Sequence, residues 1–474
     1  MVSRSTTHTS CRTQLQGLPL VALLIAVVAA LPSCATESSE APERVYLITI
    51  DTLRADHVQF LGYPAETTPF LSTLADEGVV FERAYSAAAH TSPAHGSLLS
   101  SLYPDQHGAL RNGQSLDAET TTMASLLRDV GYQTAAFTSV GFLSGLSAGF
   151  EVFDGFLAKA DRKRIYRPAH ETFERAETWL AKQPSDTPLF VWVHLFDVHE
   201  WNQPMAWEQA WLGEAHVEYE LASLDKRRFF TDEHGLSPGF LETDEELNRA
   251  MESYDRRIRY VDSEIQNFHT AVSEQGKLEQ SLWIITADHG EGLFSHSYDG
   301  HGQQLYREQL HVPLLLYFSE KRGSGRRVAE LVRHVDLLPT LADLVHQPLR
   351  LTEGSTLLPL VDGLQSDNER RIAYAQRRPV TPKLIDDGWS PGNMRTVFDL
   401  ENKYIFNSEE EHQFFDLHND PLELNNVIET PDSKLAELKA ALNDYRKRFD
   451  RKRRRAKKLS EETRAELQSL GYTE

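Results

Sequence analysis

Residues 45–52 read VYLITIDT, a β-branched apolar run that passes directly into a carboxylate and a hydroxyl. A short apolar run without polar alternation reads as a strand buried on both faces, the pattern of a parallel sheet. The same texture recurs at TAAFTSV (134–140), LFVWVHLF (189–196), LWIITA (282–287) and VPLLLYF (312–318). Between these runs lie stretches with helical spacing, such as TPFLSTLADEG (68–78) and TTMASLLRDVG (121–131). Strands alternating with helices predict an α/β fold, a mostly parallel sheet sandwiched by helices.

Outward from this core the texture changes near residue 365. RTVFDLENKYIF (395–406) and the hairpin-like EEEHQFFDL (409–417) predict a small antiparallel sheet, and DSKLAELKAALNDYRKRF (432–449) predicts a helix. The expected organisation is a leader at 1–33, a tether at 34–44, a main domain at 45–364 and a smaller α+β subdomain at 365–474. Ten Lys/Arg fall between Arg446 and Lys458; a solvated helix end explains them better than contact with anionic lipid. The segment 200–250, rich in charge and aromatics, reads as loops and short helices bordering the sheet edge.

Charge and cysteine use narrow the function classes. A formal net charge of −21 argues against nucleic acid as partner, because a phosphate backbone demands a basic face. Arg4 and Arg12 precede LPLVALLIAVVAAL (18–31), an apolar run too short to span a bilayer comfortably but suited to a signal peptide. The run ends at Cys34, followed by the polar ATESSEAPE. This resembles a bacterial lipoprotein signal, which implies export and a lipid anchor on Cys34 in the bacterial envelope; ordinary secretion is the alternative. Cys11 and Cys34 are the only cysteines, so the body of the chain has neither disulfide nor catalytic thiol.

Three of the apolar runs end in ligand chemistry. The first leads into Asp51-Thr52, the run with His194 into Asp197-Val198-His199, and LWIITA into Asp288-His289-Gly290-Glu291. Open parallel sheets bind ligands at the carboxyl ends of their strands. A single Asp there is usually a helix cap. A set of buried carboxylates costs several kcal/mol unless paired or metallated, and three such strand ends together point to a metal site. HTSPAHGSLLS (90–100) adds a loop handing over to a helix near Pro93, which places the Thr91 hydroxyl at the positive end of a helix dipole.

The long opening ITIDTLRADHVQFLGYPAETTPFLSTLADEGVVFERAYS (48–86), then LLSSLYPDQHG (98–108), TADHGEGLFSH (286–296), LYREQLHVPLLLYF (305–318), RHVDLLPTLADLV (333–345) and FFDLHNDPLELNNV (414–427) follow one another in order. As a set they resemble the sulfatase family of the alkaline phosphatase superfamily. The resemblance implies an alkaline-phosphatase-like fold and an ester hydrolase. Asp51 and Asp288 match metal carboxylates, and His289 stands where the family usually has Asn. Thr91 falls on the nucleophile, His199 matches a histidine that contacts substrate or leaving group, and His301 lies near the position of a substrate-binding Lys. His95 takes the place of an Arg, with oxyanion binding and a purely structural role both open.

The departures decide the chemistry expected. The family's nucleophile is a Cys or Ser oxidised to formylglycine, with Pro two residues on and Arg four residues on; here Pro93 is kept beside Thr91 and His95. Thr52 replaces a second Asp, and FTSVGFLSG (137–145) lacks the family's Lys and His. The reading is therefore a hydrolase of sulfuric or phosphoric esters that does not use formylglycine, with phosphorus favoured because a sulfo-threonine lacks the hemiacetal escape. A divalent cation lowers the pKa of a neighbouring hydroxyl enough to make threonine a nucleophile. One ion is expected at Asp51, Thr91, Asp288 and His289, the imidazole favouring Zn²⁺ or Mn²⁺ over Ca²⁺. Asp197, His199 and His301 read either as a second metal site or as substrate contacts. The substrate is an anionic ester of a small molecule, lipid headgroup or glycan. Two other readings share the residues: transfer of a phosphoryl headgroup to envelope polymers, and a non-catalytic anion-binding lipoprotein.

Overall fold

The seven residues Arg44–Ile50 form β1, and every one is buried, so both faces of the sheet are covered at its centre. The computed structural model describes residues 41–156, 165–202, 244–298, 300–364, 371–380, 382–386, 389–449, 459–470 and 472. The leader with Cys11 and Cys34, the tether before residue 41, residues 203–243 of the excursion and most of the basic run lie outside them. Among the described residues no helix is long and apolar enough to cross a membrane.

The main sheet also contains β2 (Val79–Tyr85), β3 (Gln133–Thr138), β4 (Val152–Gly155), β5 (Leu189–Leu195), β6 (Ser281–Ala287), β7 (His311–Phe318) and β8 (Arg326–Arg333). Their order is β4-β3-β5-β1-β6-β7-β2-β8. The sheet is parallel except for β7, which runs antiparallel to both β6 and β2. All eight residues of β7 are buried. That is why its apolar run looks like the others: burial on both faces dictates composition and leaves direction open.

The helices named here are α1 (Pro69–Glu77), α2 (Thr91–Ser100), α3 (Met123–Asp129), α4 (Ala169–Leu180), α5 (Asp244–Glu274), α6 (Leu337–Leu344), α7 (Ser433–Phe449) and α8 (Glu461–Ser469). α1 and α4 pack against α5, and α2 packs against α3 and α6. On α4, Ala169, Phe173, Ala176 and Leu180 form one buried stripe, and Phe173 stacks on Phe268 of α5 at 4.6 Å. The end of the region read as loops and short helices is thus the start of the 31-residue α5.

A second sheet, β9 (Ala373–Arg377), β10 (Met394–Phe398), β11 (Asn402–Asn407) and β12 (Gln413–Asp416), is fully antiparallel. Leu438, Leu442 and Tyr445 of α7 share a core with Val397, Tyr404 and Phe414 of this sheet. The final helix departs from the expected division at residue 365. Leu467 and Leu470 of the α8 segment belong to the core of the main sheet.

Candidate active site

β1 lies between β5 and β6 in register, with Ile50 opposite both Leu195 and Ala287. The residues that follow these strands therefore emerge side by side at one edge. The Asp51 N–H donates to the Leu195 carbonyl at 2.9 Å. Its Oδ2 lies 3.1 Å from Nε2 of His194, on β5. Burial works against the Asp51 charge, yet the His194 hydrogen bond and the fields of His289 and His199 hold its carboxyl well below the usual range. Asp288 is pushed the other way, by burial and by the Asp51 charge. Two adjacent buried carboxylates resist ionising together unless a cation joins them.

The orphaned atoms mark where a cation would fit. Asp288 Oδ1 accepts N–H groups from Thr52 (3.2 Å) and His289 (2.8 Å), whereas Asp288 Oδ2 and Asp51 Oδ1 are buried without a hydrogen-bond partner. His289 Nδ1 donates to the Gly290 carbonyl at 2.9 Å, which leaves a lone pair on Nε2. That nitrogen lies 3.4 Å from Asp288 Oδ2 and 3.9 Å from Asp51 Oδ1. The three side chains offer ligand atoms within 4.8 Å of one another, two hard oxygens and one imidazole, and they fit a divalent cation. Thr52, in the place of the second Asp, contributes backbone instead. Its φ of 60° is costly for a β-branched residue, about 1–3 kcal/mol. Its carbonyl is held by the Tyr254 hydroxyl at 2.6 Å.

Thr91 opens α2, two residues earlier than the sequence suggests, with His90 as the N-cap residue. All ten residues of α2 are buried, which small side chains permit. At Gly96 an added Cβ would lie 2.5 Å from the His107 ring, so glycine lets that ring press against the helix. The Thr91 Oγ1 sits 3.5 Å from His289 Nε2. The helix dipole at this end favours an anion. His95 serves structure: its Nδ1 meets the Thr91 carbonyl and its Nε2 the Thr49 hydroxyl, both at 2.9 Å. It ties α2 to β1 behind Thr91, and burial keeps it neutral.

The remaining candidates separate. Asp197 and His199, two apart in sequence, do not share one side of an extended strand, because the chain turns there, with the His199 N–H on the Phe196 carbonyl at 3.2 Å. Asp197 Oδ1 instead accepts the Ala169 N–H at the start of α4 (3.2 Å), and burial pushes its carboxyl up to about 7. A second metal site at Asp197, His199 and His301 is not assembled; among the described residues, Asp51, Asp288 and His289 are the cluster of three metal-ligating groups. His199 and His301 do converge, with ring centroids 4.9 Å apart, and His301 stacks on His289 at 4.7 Å. Glu200 holds His199 Nδ1 at 2.9 Å and Glu291 holds His301 Nδ1 at 3.3 Å. This arrangement suits substrate contact. Burial opposes the His199 charge, but Glu200, Asp51 and Glu291 together raise its pKa.

Asp336, at the N-cap position of α6, makes no side-chain cap bond; its carboxylate binds the Arg333 guanidinium and the Ser355 N–H at 2.7 and 2.9 Å. Sequence reasoning overlooks Glu200 as the carboxylate that orients His199, although adjacency could have suggested it. It also misses Tyr472, for which no local signal exists. A pocket of about 240 Å³ is lined by His90, His199, His301, Arg111, Asn112 and Tyr472 together with apolar side chains such as Trp389, Leu467 and Leu470.

With this geometry in place, comparison with known proteins is informative. The Sulfatase family model matches residues 44–347, and the model for the N-sulphoglucosamine sulphohydrolase C-terminal region matches residues 297–451. The chain is similar to arylsulfatase K of Rattus norvegicus, 23% identical over 86% of this chain and 80% of that protein. Among solved structures it is similar in fold to the phosphonate monoester hydrolase of Agrobacterium radiobacter, with a TM-score of 0.66 and 22% identity over 86% of this chain and 95% of that one. BT4656, solved in complex with its substrate D-glucosamine-2-N,6-O-disulfate, gives a TM-score of 0.70 at 17% identity, covering 87% of this chain and 99% of that one.

Proposed function

The chain belongs to the sulfatase family of ester hydrolases, and from that premise we propose that it is a metal-dependent hydrolase whose nucleophile is Thr91 and whose preferred substrates are phosphorus esters. The observation that carries the reading is the Thr91 hydroxyl, 3.5 Å from the free nitrogen of His289, beside two orphaned carboxylate oxygens. Asp51, Asp288 and His289 would hold the cation with Thr91 beside it, and the imidazole favours Zn²⁺ or Mn²⁺. When bound, the ion lowers the pKa of the hydroxyl and neutralises the anionic ester.

The chain's own groups supply the rest. Thr91 Oγ1 gives up its proton to solvent and forms a bond to phosphorus as the bond to the ester oxygen breaks, and the electron pair leaves with that oxygen. His199, whose charged form Glu200 stabilises at 2.9 Å, holds a proton for the departing oxygen. Water then cleaves the phospho-threonine, releasing phosphate and restoring the hydroxyl. The same centre acting on sulfur would trap a sulfo-threonine, and the fold is shared with a phosphonate monoester hydrolase. Export and lipidation at Cys34 complete the proposal, supported by the leader's composition.

A panel of 4-nitrophenyl sulfate, phosphate monoester, phosphate diester and phosphonate ester, each with Zn²⁺, Mn²⁺ or Ca²⁺, tests it. We expect turnover of a phosphorus ester with Zn²⁺ or Mn²⁺, phosphate trapped on Thr91 in peptide maps, and no turnover by Thr91→Ala. Turnover by Thr91→Ala, or of the sulfate ester alone, overturns it.

A further inference from the structure

One side chain lining the pocket, Tyr472, comes from just beyond α8. Ser460 caps this helix, its Oγ accepting the Thr463 N–H at 3.0 Å. Glu466, itself buried, accepts the Gly141 N–H at 2.6 Å. Leu467 is only 2% exposed. Thr463 and Leu467 press on Gly113, where φ is +78° and a Cβ would stand 2.7 Å from Thr463 Cγ2. Beyond the helix, the Tyr472 N–H returns to the Leu467 carbonyl at 2.9 Å, and the ring rests edge-on against Phe142 at 6.0 Å. The Tyr472 hydroxyl then meets His199 Nε2 at 2.8 Å and His301 Nε2 at 3.3 Å; the His301 ring in turn stacks on His289, whose Nε2 lies 3.5 Å from Thr91 Oγ1.

Glu200 and Glu291 occupy the Nδ1 atoms of the two histidines, so both rings turn Nε2 toward the phenol. A phenol has one proton and two lone pairs, and two imidazole nitrogens face it. An arriving ester oxygen need only replace one of them to receive the O–H. We propose that Tyr472 is a catalytic residue of the Thr91 centre, donating its hydroxyl proton in a hydrogen bond to the transferring group, and that α8 is a fixed wall of the site. The inference rests on Thr91 as nucleophile. A removable plug is the rival occupant of this position. The buried leucine, the glycine contact and the Glu466 bond describe an element packed like the core, and they favour the wall.

The experiment uses the full, metal-loaded chain as wild type, Tyr472→Phe, Thr91→Ala and a form lacking 460–474. It measures kcat and KM on the best ester of the panel and binding of inorganic phosphate by calorimetry. Phenylalanine keeps the ring on Phe142, so the fold is retained. We expect Tyr472→Phe to lower kcat about 100-fold with KM changed less than about threefold, and to weaken phosphate binding; the shortened form should lose both. Tyr472→Phe indistinguishable from wild type overturns the proposal, and faster turnover by the shortened form makes α8 a plug. If Thr91→Ala is inactive while Tyr472→Phe is normal, only this inference fails. If Thr91→Ala stays active, the parent reading fails and this one with it.

Discussion

The two sides of the site are built by different means. On one side, Asp51, Asp288 and His289 follow neighbouring strands whose ladders fix their separation. On the other, His199, His301 and Tyr472 come from a turn, a loop and the segment after a distant helix, and they meet through side chains. The first side needs only correct strand pairing to exist. The second needs α8 to dock and two glutamates to aim the rings. In the proposed reaction, the groups that would hold charge on the substrate are thus preset by the backbone, whereas those that would handle protons depend on long-range packing.

The sharpest way to break this contrast is Asp288→Asn. The amide removes one anionic ligand and keeps the N–H acceptor, so the ladder stays intact. We expect metal content to fall and turnover to drop at least about 1000-fold with little change in Tm. Retained metal with normal kcat would mean that the cluster is not the ion site.

His199→Gln probes the other side. Because the folded pKa of His199 is raised, the imidazolium persists above its ordinary pKa and is lost as pH rises through the raised value. The wild-type kcat should therefore fall on the alkaline side, and the variant should lose that limb. We expect about a 100-fold loss, greater for esters of poor leaving groups; an unchanged alkaline limb would remove His199 from proton transfer.

Gly96→Ala tests the packing beneath the nucleophile. A methyl 2.5 Å from the His107 ring must displace it, and overpacking of this kind costs about 1–3 kcal/mol. Thermal unfolding should show the loss, with kcat reduced less than in the two variants above. An unchanged Tm would mean that the helix and ring separate freely.

The smallest kinetic effect is expected in the antiparallel sheet. Lys403 Nζ bridges both oxygens of Glu423 at 2.9 and 2.8 Å with both side chains buried. Lys403→Met strands a buried carboxylate, costing about 3–5 kcal/mol. The Tm should fall while kcat, measured below it, stays near wild type. A large kcat loss would tie this sheet to the catalytic centre.

Much of the centre was legible in the sequence because its parts are local. VYLITIDT and LWIITADHG carry a strand and its ligands in one stretch, and the motif order fixed Thr91 on a helix N-terminus. His95 was left between two roles, and only its bonds to Thr91 and Thr49 resolved them. Asp197 misled for a plain reason: two residues share a side only while the chain is extended, and here it turns. The reversal of β7 was equally hidden, since burial on both faces selects the same residues in either direction.

Sequence alone determined the α/β alternation, the carboxylates and imidazole at the strand ends, a threonine where the family has its nucleophile, and the absence of cysteine from the body of the chain. These are matters of residue type and short-range spacing. Tertiary structure decided which carboxylates face one another, that Asp197 caps a helix, and that Tyr472 meets His199 and His301. Residues 273 positions apart share a pocket only when two packed surfaces bring them there, and that depends on the shape of the whole core.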